Sequence, residues 1–208
     1  MALQEIIKEI VKDTDLHCRW LNTLSLMENT GARKISASEH KTEVTLLVLK
    51  HAAEEHRHAY YLKRQISRLA ESNYLTYADD SLLAPVASRN YLNRLDLEVC
   101  KYLKTTLGLQ SYELKFAAYL LVTYAIEVRA DALYPIYQAA LDEVKSKVNV
   151  KSIILEEEGH LEEMLHQLKS FSINWEVYAE TAVAIETRLF EDWITAVKEQ
   201  LKHALTLA

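Results

Sequence analysis

Apolar residues recur every three to four positions along most of the chain, which is the period of a helix with one buried face. The first such stretch covers residues 3 to about 30 and carries Ile6, Ile10, Trp20 and Leu24 at this spacing. Five further helices are predicted at about residues 42–69, 88–107, 112–143, 150–170 and 175–205. The pattern therefore predicts a protein built from a few long helices.

Segments rich in polar and capping residues separate these helices, and turns or loops are predicted at 36–42, 73–87 and 145–149. Within the fourth predicted helix, the run from Phe116 to Ile126 is mostly apolar on every side, so we expect it to be buried on most sides. Pro135 lies in the same helix and is expected to kink it. Gly108 is expected to end the preceding helix.

Composition supports the helical prediction. The chain has three glycines and two prolines among 208 residues, too few to punctuate the many turns of a β-sandwich or barrel. No glycine-rich phosphate loop is present, which argues against a P-loop or dinucleotide-binding enzyme. With 50% hydrophobic and 26% charged residues, the sequence is not that of a disordered chain. We expect a single all-α domain covering residues 1–208.

Charge and cysteine content limit the kinds of partner and site that the chain is expected to have. A net charge of −6 argues against nucleic-acid binding, since nucleic-acid-binding surfaces are basic. The two cysteines, Cys18 and Cys100, form neither a disulfide framework nor a CxxC metal site. The charged start and the short apolar runs are not those of a signal peptide or a membrane span. We therefore expect a cytoplasmic protein without membrane contact, and the extensive apolar helices are compatible with a homodimer.

Two segments repeat the pattern Glu-Glu-x-x-His. Glu55 with His58, and Glu157 with His160, are three residues apart and so share a helix face, where a carboxylate and an imidazole can chelate one transition metal. Both pairs lie on apolar, core-facing stripes. A third match, Glu163 with His166, has polar neighbours and is interpreted as solvated surface, as are Glu156 and Glu158.

Two more carboxylates, Glu28 and Glu127, lie on core-facing stripes of other helices, where a lone carboxylate is costly unless it is paired or metal-bound. Glu28 precedes Glu55 by 27 residues and Glu127 precedes Glu157 by 30, so one motif occurs twice. In antiparallel helices the two carboxylates of each half would be level if the turns lie midway. To bring Glu28 and Glu55 level in the first half, the first helix must continue through Gly31 to about residue 35. Otherwise an extended loop must connect the helix end to the start of the second helix.

In this order the six residues resemble the ligand set of the ferritin-like di-iron/di-manganese carboxylate superfamily. The segments 51–59 and 156–162 are similar to the second and fourth bundle helices of bacterioferritins and rubrerythrins. The resemblance implies a four-helix bundle whose long crossover contains an extra helix, with an additional C-terminal helix. It further implies two iron ions, or manganese or a mixed pair, with Glu55 and Glu157 bridging, Glu28 and Glu127 terminal, and one imidazole per metal from His58 and His160. The extra helices and the missing rubredoxin cysteines depart from ferritins and rubrerythrins, so a ferritin cage is not expected.

The expected function is a di-iron oxidase or oxygenase that uses dioxygen or peroxide on a small organic substrate, with an external electron donor where the reaction needs one. The alternatives are a ferroxidase or a rubrerythrin-like peroxide-reducing protein, and a metal-free helical interaction protein. A large apolar pocket beside the metals would favour the oxygenase.

Three residues one turn from the proposed ligands are second-shell candidates, each weighed against an ordinary structural role. His51 could be a hydrogen-bond donor or line a substrate path. Asp131 could orient His58 or His160, and Tyr124 could hydrogen-bond to a carboxylate or be redox-active. Gly31 and Gly159 are expected in helices beside the ligands, where a missing side chain would leave room for other partners of the metals.

Overall fold

The computed structural model describes residues 2–71 and 74–207, with backbone alone for residues 203–207. It contains no strand in these ranges, and one short 3-10 helix, Asp79–Ser81, lies between the third and fourth α-helices. The α-helices are α1 (Leu3–Lys12), α2 (Thr14–Ser38), α3 (Leu46–Ile66), α4 (Pro85–Leu107), α5 (Ser111–Glu143), α6 (Lys151–Phe171) and α7 (Trp175–Leu207). The all-α prediction is confirmed for this part of the chain.

The first predicted helix is two helices, which corrects the single helix expected from residue 3 to about residue 30. Asp13 has an extended backbone, and its side chain accepts a hydrogen bond from the amide of Leu16 at 2.9 Å. An aspartate that accepts from the first-turn amides is a favoured N-cap, so α2 starts afresh at Thr14. Residue 73, the start of a predicted loop, lies outside the described residues.

The question left open at Gly31 is answered by the length of α2. This helix continues through Gly31 to Ser38, eight residues beyond the expected end, and a turn at residues 39–45 leads into α3. The midpoint of this turn lies midway in sequence between Glu28 and Glu55. Because α2 and α3 pack along each other, this brings the two carboxylates to the same height without an extended loop.

The helices pack around α5, which contacts α1, α2, α4, α6 and α7. Residues 117–121 of α5 are buried, as expected for its apolar run, and the helix is uninterrupted at Pro135. The pairs α2–α3 and α5–α6 flank one region of the core, while α4 and α7 pack on each other and against α5. Trp20 and Trp193 join these layers by stacking with ring centroids 5.5 Å apart. Among the described helices, none is both long and apolar enough to cross a lipid bilayer.

Candidate metal centre

The six side chains singled out by the two repeated motifs converge between α2, α3, α5 and α6. Five of them are buried, and the sixth, Glu28, is partly exposed where it lines an internal cavity. Their donor atoms form two groups within 4.8 Å, and Glu55 belongs to both. The first group is Glu55, Glu127, Glu157 and His160, and the second is Glu28, Glu55 and His58.

Two carboxylates lie between the two imidazoles. Nδ1 of His58 is 3.1 Å from Oε1 of Glu157 and 3.8 Å from Oε2 of Glu55. Nδ1 of His160 is 3.4 Å from Oε2 of Glu157 and 3.9 Å from Oε1 of Glu55. Each of these glutamates therefore directs one oxygen towards each histidine, the arrangement that a carboxylate needs to bridge two cations. Oε2 of Glu127 lies 3.7 Å from Nδ1 of His160.

Three buried polar atoms of this cluster have no hydrogen-bond partner in the described structure: Nδ1 of His58, Nδ1 of His160 and Oε2 of Glu127. Burying such atoms without partners is costly. All three lie among carboxylate oxygens at the centre of the cluster, where divalent cations would satisfy them together. Imidazole and carboxylate donors suit iron or manganese, so the residues present fit a dinuclear metal site.

The outer nitrogen of each imidazole is held by a glutamate of the opposite helix. Nε2 of His58 on α3 lies 2.8 Å from Glu156 on α6, and Nε2 of His160 on α6 lies 2.8 Å from Glu54 on α3. Arg57 binds both oxygens of Glu156 at 2.8 and 2.7 Å. Since an ionised carboxylate only accepts, Nε2 carries the proton, and Nδ1 is left as the ligand atom when the ring is neutral.

The unmetallated cluster can limit its negative charge only by holding protons. Burial, and then the carboxylate of Glu55, raise the pKa of Glu28 well above its ordinary value. Burial and the carboxylate of Glu157 do the same to the pKa of Glu127. Burial alone would raise the pKa of Glu157, but Glu127 and the two imidazoles lower it.

The two imidazoles of the cluster also bind protons more tightly than usual. Burial lowers the pKa of His58, but the neighbouring carboxylates outweigh it and raise the pKa to about 12. The same balance raises the pKa of His160 to about 9. The cluster thus favours bound positive charge in any form, and metal ions would compete with these protons.

Of the three second-shell candidates, only His51 lies in the cluster's surroundings. It is buried, its ring centroid is 4.9 Å from that of His160, and its two nitrogens lie 3.0 Å from Glu163 and from the hydroxyl of Tyr119. Both nitrogens are therefore engaged outside the metal cluster. Glu163 also pairs with Lys50, so it is a partner of buried His51 and not simply the solvated residue expected.

The structure does not place Asp131 or Tyr124 in the roles suggested for them. Asp131 is exposed on α5, whereas the outer nitrogens of both imidazoles point between α3 and α6, so the expectation that it orients a histidine is wrong. Tyr124 is half-buried and makes no hydrogen bond to a carboxylate among the described residues. The tyrosine that donates to a carboxylate of the metal cluster is Tyr134, whose hydroxyl binds Oε1 of Glu28. Its position seven residues after Glu127, on the same helix face, was the available signal.

The glycines near the motifs have different surroundings from each other. Gly31 lines the cavity beside Glu28, whereas Gly159 is exposed on the outer side of α6, which contradicts the expectation that it leaves room there for other partners of the metals. A methyl group added to either would meet no atom within 4 Å. Neither position therefore demands glycine for packing.

A cavity of about 370 Å³ adjoins the cluster on the side away from the histidines. It lies between α2, α4, α5 and α7, and Glu55 is the α3 residue that reaches it. Glu28, Glu127 and Tyr134 also line it. Most other lining residues are apolar, including Leu24, Met27, Leu92, Val122, Ile126 and Leu133. The imidazoles thus occupy one side of the cluster and a mostly apolar space adjoins the other.

Comparison with known proteins adds no relative to this description. No protein-family model, curated protein or solved structure matches the chain. In the described residues the chain is all-helical and contains a buried cluster of glutamates and histidines that could hold a metal.

Proposed function

We propose that this chain is a ferritin-like dinuclear non-haem metalloprotein that uses dioxygen or peroxide to oxidise a small organic substrate. The observation that carries the proposal is the cavity of about 370 Å³, largely apolar, that reaches Glu28, Glu55 and Glu127. An organic molecule in this space would lie against the carboxylate side of the site. The metals would be two iron ions, with manganese or a mixed pair as the alternative.

The geometry supports one assignment of residues to the two metals. His58 with Glu28 and His160 with Glu127 would each hold one ion, and Glu55 and Glu157, within reach of both imidazoles, would bridge them. Four carboxylates would then balance two divalent cations. When bound, such ions supply the electrons that reduce dioxygen or peroxide and so make it reactive towards organic molecules, while an external donor restores them.

The chain's own residues would hold the site rigid and dry. Glu54 and Glu156 fix the orientation of His160 and His58, and Arg57 anchors Glu156 from the surface. Tyr134 holds one oxygen of Glu28 by a hydrogen bond. The apolar lining excludes water and favours a substrate with substantial apolar surface.

The cavity also bears on the alternatives. A ferroxidase or a peroxide-reducing protein needs no space for an organic molecule, and a cavity of this size and lining goes beyond that need. A metal-free bundle offers no reason to gather four carboxylates in the core, because buried charges are stable only when paired or bound to metal.

Metal loading of the purified protein tests the proposal. We expect anaerobic Fe(II) addition to give about two ions per chain, as the donor set of the ferritin-like sites predicts. Exposure to air should then produce the absorption of an oxo-bridged ferric pair. Binding of less than one ion per chain without this absorption would contradict the proposed centre.

Two neighbouring glutamates provide a matched pair of variants. Glu157→Gln removes a charge at the centre of the cluster, whereas Glu158→Gln removes one from the exposed face of the same helix. The first variant should lose tight binding of both ions, because Glu157 faces both imidazoles. The second should load like the unchanged protein. Equal effects of the two changes would mean that the site has been assigned to the wrong residues.

A further inference from the structure

We infer that the cavity binds an amphiphile with an apolar body and an anionic head, and that Lys115 receives the head group. This inference deepens the proposed function, since it names the class of substrate. It stands on three features of the cavity: where it meets solvent, which of its cations are already paired, and how its polar and apolar surfaces are distributed.

The most exposed residues of the cavity lining lie at one end of it. Among its described lining residues, Ala37 and Lys115 are exposed, and Lys34, Ser38 and Asp96 beside them are half-buried. These five residues, from the end of α2, the middle of α4 and the start of α5, are called here the cavity mouth. A ligand that enters between them would move along α2 and α5 towards the carboxylate cluster.

Lys115 carries an unpaired charge at the mouth. Of the other cations in the lining, Lys34 is paired with Asp96 at 3.0 Å, and Arg129 binds both oxygens of buried Glu186 at 2.8 Å. Lys115 has no ion pair with any described residue. The mouth therefore has a net positive charge on a protein whose overall charge is −6. Charge complementarity at this point favours an anion.

The space between the mouth and the cluster is apolar. Ala118, Val122 and Ile126 line it from α5, and Met27 and Ile35 line it from α2. Lys115 lies twelve residues before Glu127, so their Cα atoms are about 18 Å apart along the helix. The side chain of Glu127, which leans towards the N-terminal end of α5, covers part of that length. A medium-chain carboxylate such as decanoate would place its head at Lys115 and its chain beside the proposed metals.

Binding to the metal-free protein tests the inference separately from metal chemistry. Calorimetry and tryptophan fluorescence, to which Trp193 in the cavity lining contributes, would follow titration with decanoate, decanol and decyltrimethylammonium. We expect decanoate to bind most tightly. Within a series of shorter carboxylates, affinity should rise by roughly fourfold for each added methylene until the cavity is filled.

Three variants separate the head group from the chain. Lys115→Met should weaken decanoate binding by about fivefold, the scale of an exposed ion pair, and leave decanol unchanged. Lys115→Glu should reverse the preference in favour of decyltrimethylammonium. Val122→Phe should weaken all ligands by reducing the space. As the control, Lys101→Met removes an exposed charge on α4 outside the lining and should leave the affinity for all three probes unchanged.

The outcomes distinguish this inference from the proposed function. Equal affinity for decanoate and decanol, or no effect of Lys115→Met, would overturn the anionic head group. Failure of all three probes to bind a protein that still loads two metal ions would overturn the inference and leave the metal centre standing. Binding of decanoate by a protein that takes up no metal would support the ligand site and remove the proposed oxidase.

Discussion

The crossed contacts between the imidazoles and the opposite glutamates lead to a prediction about each metal separately. Glu54 on α3 holds His160, and Glu156 on α6 holds His58, each at 2.8 Å. Replacing Glu54 by glutamine keeps the shape of the side chain but removes its charge. We expect Glu54→Gln to weaken the metal beside His160 and Glu156→Gln to weaken the metal beside His58.

The expected size follows from the exposure of these partners. Loss of a hydrogen-bonding partner of a metal-bound histidine typically costs 10- to 100-fold in affinity, which is about 1.4 to 2.7 kcal/mol. The side chains of Glu54 and Glu156 are 22% and 28% exposed, so water can replace part of the lost contact. The effect should therefore lie nearer to tenfold. Glu156→Gln should be the more severe change, because it also breaks the bidentate ion pair between Arg57 and this carboxylate.

Titration of the metal-free protein with Co(II) would measure these effects, since its visible absorption reports the geometry of each site and calorimetry reports the affinity. Each variant should show one unchanged and one weakened binding step. Glu158→Gln, at an exposed position on α6, is the control. If either variant weakens both steps equally, or neither, the imidazoles do not act as the separate ligands of two ions.

Three further predictions concern stability. The raised pKa of His160 means that the folded metal-free protein keeps a proton that the unfolded chain releases above about pH 6.5. The melting temperature of the metal-free protein, measured by calorimetry, should therefore fall as pH rises from about 6.5 to 9. Saturating Mn(II) should abolish that fall. Arg129→Met leaves Glu186, which is 1% exposed, without its bidentate partner, and should cost about 3 to 5 kcal/mol in urea unfolding. An unchanged midpoint would mean that this buried ion pair contributes little to stability. Gly159→Ala should stabilise the protein by about 0.5 to 1 kcal/mol in the same assay without changing metal affinity, because the position is helical, exposed and open. Weaker metal binding by this variant would mean that Gly159 does leave room for partners of the metals.

The sequence alone contained enough to predict most of the helices and the six side chains of the cluster, but not the break at Asp13 or the end of α2 at Ser38. A helix has one repeat, 3.6 residues, so residues three or four apart share a face whatever the helix packs against. That local rule placed Glu55 with His58 and Glu157 with His160, and it put Glu28 and Glu127 on core-facing stripes. The similar half-spacings, 27 and 30 residues, indicated where the turns lie. Convergence of all six followed because buried carboxylates need a common partner.

The contacts between side chains of different helices were decided by the tertiary structure. The pairing of Glu54 with His160 and of Glu156 with His58 depends on how α3 and α6 are rotated and how closely they approach, and no spacing within one helix encodes this. For the same reason the sequence did not show that Asp131, exposed on α5, lies away from the outer nitrogens of the imidazoles.

The cavity is also a property of the packed structure. It is the space that α2, α4, α5 and α7 leave unfilled, and its lining residues, such as Leu24 and Val122, look in sequence like any others on a core stripe. Periodicity indicates that a side chain faces inward but not whether another side chain meets it there. The sequence thus determined which residues enter the core, because that depends on local geometry, and the packing of distant helices determined where the core is hollow and where it opens at Lys115.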